Sequence, residues 1–486
     1  MEKKSMNEEY ETIIGLEVHI ELATKTKIFC GCSTAFGGSP NSHTCPVCTG
    51  MPGTLPILNK KVLEYSIAAG IACHCRIAPF IRFDRKNYFY PDNPQNYQIS
   101  QLYSPLCQDG FLEIQWEEEG NLQSKKIGIH EIHMEEDAGK LIHEEEGNYS
   151  YVDYNRAGVP LIEIVSCPDM RSAKEVIAYL EVLKTKIQYL GISDCKLQEG
   201  SMRADVNLSV RKKGSNVLGT RTEMKNLASF RAITKAIETE RKRQIALLEA
   251  GEPVIQETRR WDEKREESFS MRSKEDAKDY RYFPEPDLPP VRIMDSLVSQ
   301  IKESQPEFQP EKKKRFLEQY GLSEYDADIL TASLVLANLF EETVGNGATP
   351  KKASNWIMVE TMYWLKEKNQ QPEDILFSGK NLAELIGMIE KKQITQSTAK
   401  EIFAWMFETG GEPVSYAKEK GLWIVCDEGL LERVIEEVLQ ENPQAVSDFK
   451  GGKERALGAL VGQTMKKMKG KADPQTVQNT LREKLS

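Results

Sequence analysis

The chain has 486 residues, 40% of them hydrophobic and 28% charged, with a formal net charge of −10. That length exceeds one ordinary domain, and the composition is that of a folded soluble protein, not a disordered chain. The acidic balance excludes a generally basic nucleic-acid coat but leaves room for local basic patches. The start, MEKKSMNEEYETI, lacks the apolar core of a signal peptide, and no stretch nears the roughly 18 apolar residues that span a bilayer. The expected location is the cytoplasm. There the ten cysteines stay reduced, so paired thiols read as metal ligands before disulfides.

TIIGLEVHIEL alternates strictly: Leu16, Val18, Ile20 and Leu22 face one way, Glu17, His19 and Glu21 the other. This predicts a half-buried strand. A CxC and a CxxC follow, Cys30, Cys32, Cys45 and Cys48, around a Gly- and Ser-rich loop. Four thiolates would close a tetrahedral zinc site with no position for water, so the expected Zn²⁺ is structural; the plain alternative is reduced cysteines. His19-x-Glu21 followed by Cys45-Pro-Val-Cys48 also brushes against the zinc-deaminase pattern. Thr44 stands where that pattern has proline, and the extra CxC would fill the open coordination position.

KKVLEYSIAAGIAC predicts a helix, ending at Cys73, His74 and Cys75, which are weaker ligand candidates. FDRKNYFYPDNPQNYQISQ interleaves Arg85 and Lys86 with Tyr88, Phe89, Tyr90 and Tyr97, a mixture that can stack a base or simply pack on a sheet. KIGIHEIHMEED predicts a strand bearing His133, Glu135, Glu136 and Asp137, and SAKEVIAYLEVLKTKIQYLG an amphipathic helix closed by Gly191. SMRADVNLSV, after Glu199, puts Arg203, Asp205 and Asn207 on one strand face; TRTEMKNLASF does the same with Glu223 and Lys225. Carboxylates in such numbers suit Mg²⁺, with Lys and Arg for phosphate oxygens. Each strand taken singly is also readable as a solvated polar face. No G-x-x-x-x-G-K-[ST] occurs, so an ATP site here would not be a P-loop.

YRYFPEPDLPP, with four prolines, predicts a stiff extended link and a boundary. Beyond it SEYDADILTASLVLANLFEETV, NWIMVETMYWLKEKN and NLAELIGMIEKKQIT have helical apolar spacing, and AKEIFAWMFETG opens a last helical block. The expected fold is α+β, a β-rich domain followed by helices.

IGLEVHIEL, FDRKNYFYPDNPQNYQISQ, HMEEDAGK, NRAGVPLIEIVS, EGSMRADVNLSV, QETRRWDE, DYRYFPEPDLPP and LVGQTMKKMKGKADP together closely resemble the B-subunit family of the aspartyl/glutamyl-tRNA amidotransferases. The resemblance implies a cradle domain with antiparallel sheet and active site (1–293), an all-α domain (294–398) and a small YqeY-like tail (399–486). It implies a heterotrimer with an amidase-type A subunit and a small C subunit. It also implies ATP- and Mg²⁺-dependent activation of the side-chain carboxylate of glutamate or aspartate on misacylated tRNA, with ammonia supplied by the A subunit. By motif, Glu17, His19, Glu135, Glu136 and Glu223 are the catalytic candidates, and Glu17, His19, Glu136, Glu199, Asp205 and Glu223 the Mg²⁺ candidates. Lys86, Arg203 and Lys225 are phosphate or carboxylate contacts. Lys466, Lys467, Lys469 and Lys471 are tRNA-backbone contacts, or else a solvated helix end. Cys167 and Ala228 depart from the family's usual SEPD and KNLNSF.

Overall fold

The computed structural model describes residues 9–143, 147–273, 280–424, 428–468, 472 and 474–485. The chain forms two compact units, Met1–Phe308 and Gln309–Ser486.

The first unit is built on a nine-stranded sheet. In chain order its strands are β1 (Tyr10–Glu21), β2 (Arg76–Ile77), β3 (Cys107–Glu118), β4 (Asn121–Glu136), β5 (Pro160–Ser166), β6 (Met202–Lys212), β7 (Thr222–Lys225), β8 (Glu257–Asp262) and β9 (Glu267–Ser273). They lie in the order β9-β8-β7-β6-β1-β5-β4-β3-β2, antiparallel except for the parallel pair β7–β8. Three helices accompany them: α1 (Lys60–Ala72), α2 (Ala173–Tyr189) and α3 (Phe230–Glu249). Asn59, Ser172 and Ser229 cap them by accepting from the N–H groups of Lys61, Glu175 and Ala232, which satisfies donors the first turn leaves open.

Period-two alternation decides what the sheet shows to each side. Val18, Ile20, Ile162, Ile164, Ile132, Met134, Val206 and Leu208 are buried in one core with Leu180 and Leu183 of α2 and Ile233 and Ile237 of α3. Each such aliphatic side chain contributes about 1.5–3 kcal/mol. The intervening residues are free to be polar, and in β1, β4 and β6 Glu17, His19, Glu131, His133, Glu135, Arg203, Asp205 and Asn207 are, whereas β5 has only Glu163 between Leu161 and Val165.

The proline-rich stretch is extended as expected, but it is paired as well. Phe283–Pro284 joins Asp84–Asn87, and Val291–Arg292 joins Phe80–Ile81. Short edge pairings tolerate proline because the missing N–H can face outward. The helix Asp295–Glu303 lays Leu297, Val298 and Ile301 on the same core.

The second unit is helical. Phe316, Phe340, Trp356, Phe403 and Phe407 centre one apolar cluster, and Ile435, Val438, Leu460, Val477 and Leu481 another. The segment 323–344, whose apolar spacing is helical, forms two helices, Glu324–Thr331 and Leu334–Gly345. Ser333 causes the break: it leaves helical geometry (φ −124°, ψ 133°) and its hydroxyl caps the second helix at Leu336 N–H. The mixed architecture, an antiparallel-rich sheet domain followed by helices, agrees with the α+β expectation. Among the described residues no helix is long and apolar enough to cross a membrane.

Candidate active site

The strand order brings the polar faces together. Register places His19 of β1 between Arg203 of β6 and Glu163 of β5, and Glu163 beside His133 of β4. Arg203, His19, Glu163 and His133 thus form one row across four strands. Since neighbouring strands lie about 4.8 Å apart, side chains in one row meet. Glu17, one pleat along, faces Asp205, and Asn207 faces Glu223.

Two clusters result. In the first, one donor atom from each of His19, Glu135 and Glu163 lies within 4.8 Å of the others. His19 Nε2 is 3.4 Å from Glu163 and 3.7 Å from Glu135. His133 backs this cluster, Nε2 at 3.3 Å from Glu163 and Nδ1 at 3.2 Å from Glu131. Burial works against a charged imidazole, yet the carboxylates prevail: His19 is raised by its Glu163 hydrogen bond, and His133 is raised to about 10 by Glu131 and Glu163. Burial would raise Glu163 too, but hydrogen bonds from the two imidazoles hold it well below the carboxylate range.

In the second cluster Glu17, Asp205 and Glu223 each offer an oxygen within 4.8 Å of the others. Asn207 Nδ2 donates to Glu17 at 2.9 Å, Thr258 Oγ1 donates to Glu223 at 2.7 Å, and the Lys225 ammonium binds both Asp205 and Glu223, the latter at 2.8 Å. Burial and then the charge of Glu163 raise Glu17. Burial opposes the Lys225 charge, but Asp205 and Glu223 outweigh it and raise the group.

The all-oxygen triad has the donor chemistry a hard divalent cation prefers, and the imidazole-containing one can take a divalent metal as well. The all-oxygen triad therefore fits the Mg²⁺ the sequence called for, while the imidazole-containing one would take a divalent ion only with His19 neutral. Cations stand round them. Lys86, over the Tyr280 ring at 5.2 Å, is raised chiefly by Glu135 against the pull of burial. Arg203 Nη2 binds Asp137 at 2.8 Å. Burial lifts the neighbouring Glu21 carboxyl to about 8, helped by the Asp137 charge; Asp137 stays low because Arg203 and Arg156 outweigh its burial.

Not every sequence candidate joins. Glu136 has the opposite pleat parity to Glu135. It is buried, accepts from Ile99 N–H at 3.0 Å, is raised to about 7 mainly by burial, and lines a separate cavity of about 270 Å³ with Cys30, Cys48, Met51 and Arg85. Glu199 is exposed, ahead of β6, and pairs with Lys196 at 3.1 Å. Arg85 is held by Glu285 and Asp287. Sequence reasoning missed Glu163 and Glu131. The signal for Glu163 is a lone carboxylate amid the apolar run PLIEIVS.

The four cysteine sulfurs form a third cluster, again within 4.8 Å. The Cys45 and Cys48 sulfurs are 3.9 Å apart, close to the roughly 3.8 Å edge of a tetrahedron with Zn–S near 2.3 Å. The soft donor set fits zinc. Hydrogen bonding from Cys30 pulls the Cys48 thiol down to about 4, with the Lys27 charge contributing. The loop between the cysteine pairs is tied down by Asn41 and Asn155, which bond residues 152–154 and 39–43 reciprocally. His19 lies with the carboxylates and not with the thiols, so the deaminase arrangement is not formed. His74 stacks on Phe111 with ring centroids 4.5 Å apart.

In the tail Lys466 is exposed, whereas Lys467 pairs with Glu437 and Glu441 at 3.0 and 2.7 Å. Lys469 and Lys471 lie outside the described residues.

Comparison of the sequence with known proteins finds relatives along nearly its whole length. Residues 12–299 match the GatB/GatE catalytic domain, and residues 338–485 match the GatB domain. The B subunit of the aspartyl/glutamyl-tRNA(Asn/Gln) amidotransferase of Lachnospira eligens is 60% identical over 483 residues, 98% of this chain and 99% of the relative. Proteins of the same name from Agathobacter rectalis and Caldicellulosiruptor saccharolyticus are 60% and 54% identical over 476 and 480 residues, each covering 98% of this chain and 99% of their own.

Proposed function

The chain belongs to the GatB/GatE family of amidotransferase B subunits, components of carbon–nitrogen ligases, and from that premise we propose that its carboxylate–imidazole face activates the aminoacyl side chain of misacylated tRNA. The substrate is Glu-tRNA(Gln), Asp-tRNA(Asn) or both. The step is phosphorylation: a side-chain carboxylate oxygen attacks the γ-phosphorus of ATP, ADP leaves, and ammonia then attacks the acyl phosphate to give the amide and inorganic phosphate.

The observation that carries this reading is the convergence of six acidic or imidazole groups with Lys225 and Arg203 on one sheet face, beside which the separate strand Asp84–Asn87 brings Lys86 into the field of Glu135 and Glu163. A bare carboxylate is a poor electrophile because its oxygen is a poor leaving group, and phosphorylation removes that obstacle. A bound Mg²⁺ would offset charge on the transferring phosphoryl group. His19, Glu135 and Glu163 would hold one divalent ion, Glu17, Asp205 and Glu223 another. Lys225, which already neutralises two carboxylates, and Lys86 would hold phosphate oxygens. Arg203 steadies Asp137 at the end of β4 and keeps that carboxylate from repelling the nucleotide. The thiol centre would hold a structural zinc, since four sulfur ligands leave no site for substrate.

The division of labour follows the chain: residues 1–293 for catalysis, 294–398 as a helical domain and 399–486 as the tRNA-binding tail, in a cytoplasmic complex with amidase-type A and small C subunits. For the tail, Lys466→Ala should weaken tRNA binding and reduce its logarithmic salt slope by about 1. Lys467→Ala, whose charge is already met by two glutamates, should change both less. Salt-dependent binding to the full complex measures this, and equal losses would count against it.

The reading is tested with the chain co-purified with its A and C partners, the glutaminase inactivated and ammonia saturating. Gln-tRNA and ADP should form together when ATP and Mg²⁺ are present. Bound tRNA without product would leave the chain a tRNA-binding scaffold.

A further inference from the structure

Lys27 is a long basic residue with none of its surface exposed. Its ammonium meets the Cys48 sulfur at 3.5 Å and the Tyr154 carbonyl at 3.1 Å. Its own backbone belongs to the cysteine turn, with Lys27 N–H donating to the Cys32 carbonyl at 3.0 Å. A buried ammonium is strongly disfavoured unless a counter-charge meets it. Glu136, the carboxylate that lines the neighbouring cavity, instead spends an oxygen on Ile99 N–H. Four thiolates around a dication leave an excess of two negative charges, which equally need an offset where water is absent.

The two buried charges answer each other. We propose that Lys27 is the countercation of the four-thiolate zinc centre, a positioning residue that holds Cys48 as a thiolate ligand and ties the centre to the Tyr154 carbonyl. This rests on the zinc reading above and deepens it. The segment it anchors is the one that grips the inter-cysteine loop: Tyr154 N–H donates to Asn41 and Asn155 holds Ser39 and His43. Gly158, at φ +82°, packs directly against Lys27 and Cys48; a Cβ there would lie 3.5 Å from the lysine chain and 3.6 Å from Cys48 Cβ. The same segment then enters β5, which carries Glu163. Lys27 therefore links the metal staple mechanically to the strand beside the active-site row.

The test uses the full chain with its partners and reads zinc, not amidation. Zinc content is measured first, then the rate of zinc release to a chromogenic chelator. Lys27→Met, similar in length but uncharged, should release zinc about 10–100-fold faster than the parent, the range for partners of metal ligands. In a Cys48→His background, where the centre carries one negative charge fewer, the same substitution should matter less. A parent protein with no zinc would remove the zinc reading and this proposal with it. A parent with one zinc and an unchanged release rate in Lys27→Met would overturn the proposal alone. Should Lys27→Met not fold, the unmodified protein decides by amine acylation and mass spectrometry: Lys27 should be protected with zinc bound and acylated once it is stripped. Equal protection in both states would overturn the proposal.

Discussion

His19→Ala and Glu163→Gln should each lower amidation of misacylated tRNA by about 10²–10³-fold, the usual scale for removing one group that stabilises developing charge, and leave tRNA affinity unchanged. His19 Nε2 lies between Glu163 and Glu135, so its loss removes a donor of the first triad and leaves two buried carboxylates to repel each other. Glu163→Gln keeps the shape but removes the charge that both imidazoles share. The two variants should be similarly impaired because they dismantle the same cluster from opposite sides, and combining them should cost much less than the product of the two. Neither residue is in the tail proposed to bind tRNA. Full activity in either variant would remove the first triad from the mechanism.

Cys45→Ala, or stripping with a chelator, should empty the thiol centre and expose the segment between Cys32 and Cys45 to proteolysis. Without the metal that segment keeps its hydrogen bonds to residues 152–155 and to Thr24, each contributing about 1 kcal/mol. Apparent binding energies of structural zinc in small peptides reach about 10–16 kcal/mol. The loss should therefore exceed what these hydrogen bonds supply to the segment. Ammonia-supported amidation should fall far less than in His19→Ala, because the centre has no open position for substrate. Limited proteolysis and zinc content, followed beside activity, make the check. Abolished activity with the segment still protease-resistant would move the chemistry to the thiols.

Much of the site was legible because period two is a strong signal. TIIGLEVHIEL, SMRADVNLSV and TRTEMKNLASF each announce a polar face, and those faces carry His19, Glu17, Asp205 and Glu223. Which strands lie side by side is not a property of any one strand, so convergence had to come from topology: β6, β1, β5 and β4 are neighbours although β5 is far from β1 in sequence. Glu163 escaped because its strand is apolar at nearly every other position, so the alternation that flags a two-faced strand is muted. Glu135 and Glu136 read as a pair, yet adjacent residues of a strand point to opposite sides. Glu199 reads as part of the next strand but falls in the turn before it, where its partner is Lys196. The cysteine spacing pointed to four thiols held together, and they do cluster. Lys27 was not, because only burial distinguishes it from a surface lysine.

Phosphorylation of the side-chain carboxylate on the sheet face would leave an isotopic mark. Glutamate labelled with ¹⁸O in its side-chain carboxyl, charged onto tRNA(Gln) and given to the full complex with ATP, Mg²⁺ and ammonia, tests it most directly. Inorganic phosphate should carry one ¹⁸O for each amide formed, and the His19→Ala complex should release about 10²–10³-fold less of it. Amide formed with unlabelled phosphate would contradict that phosphorylation.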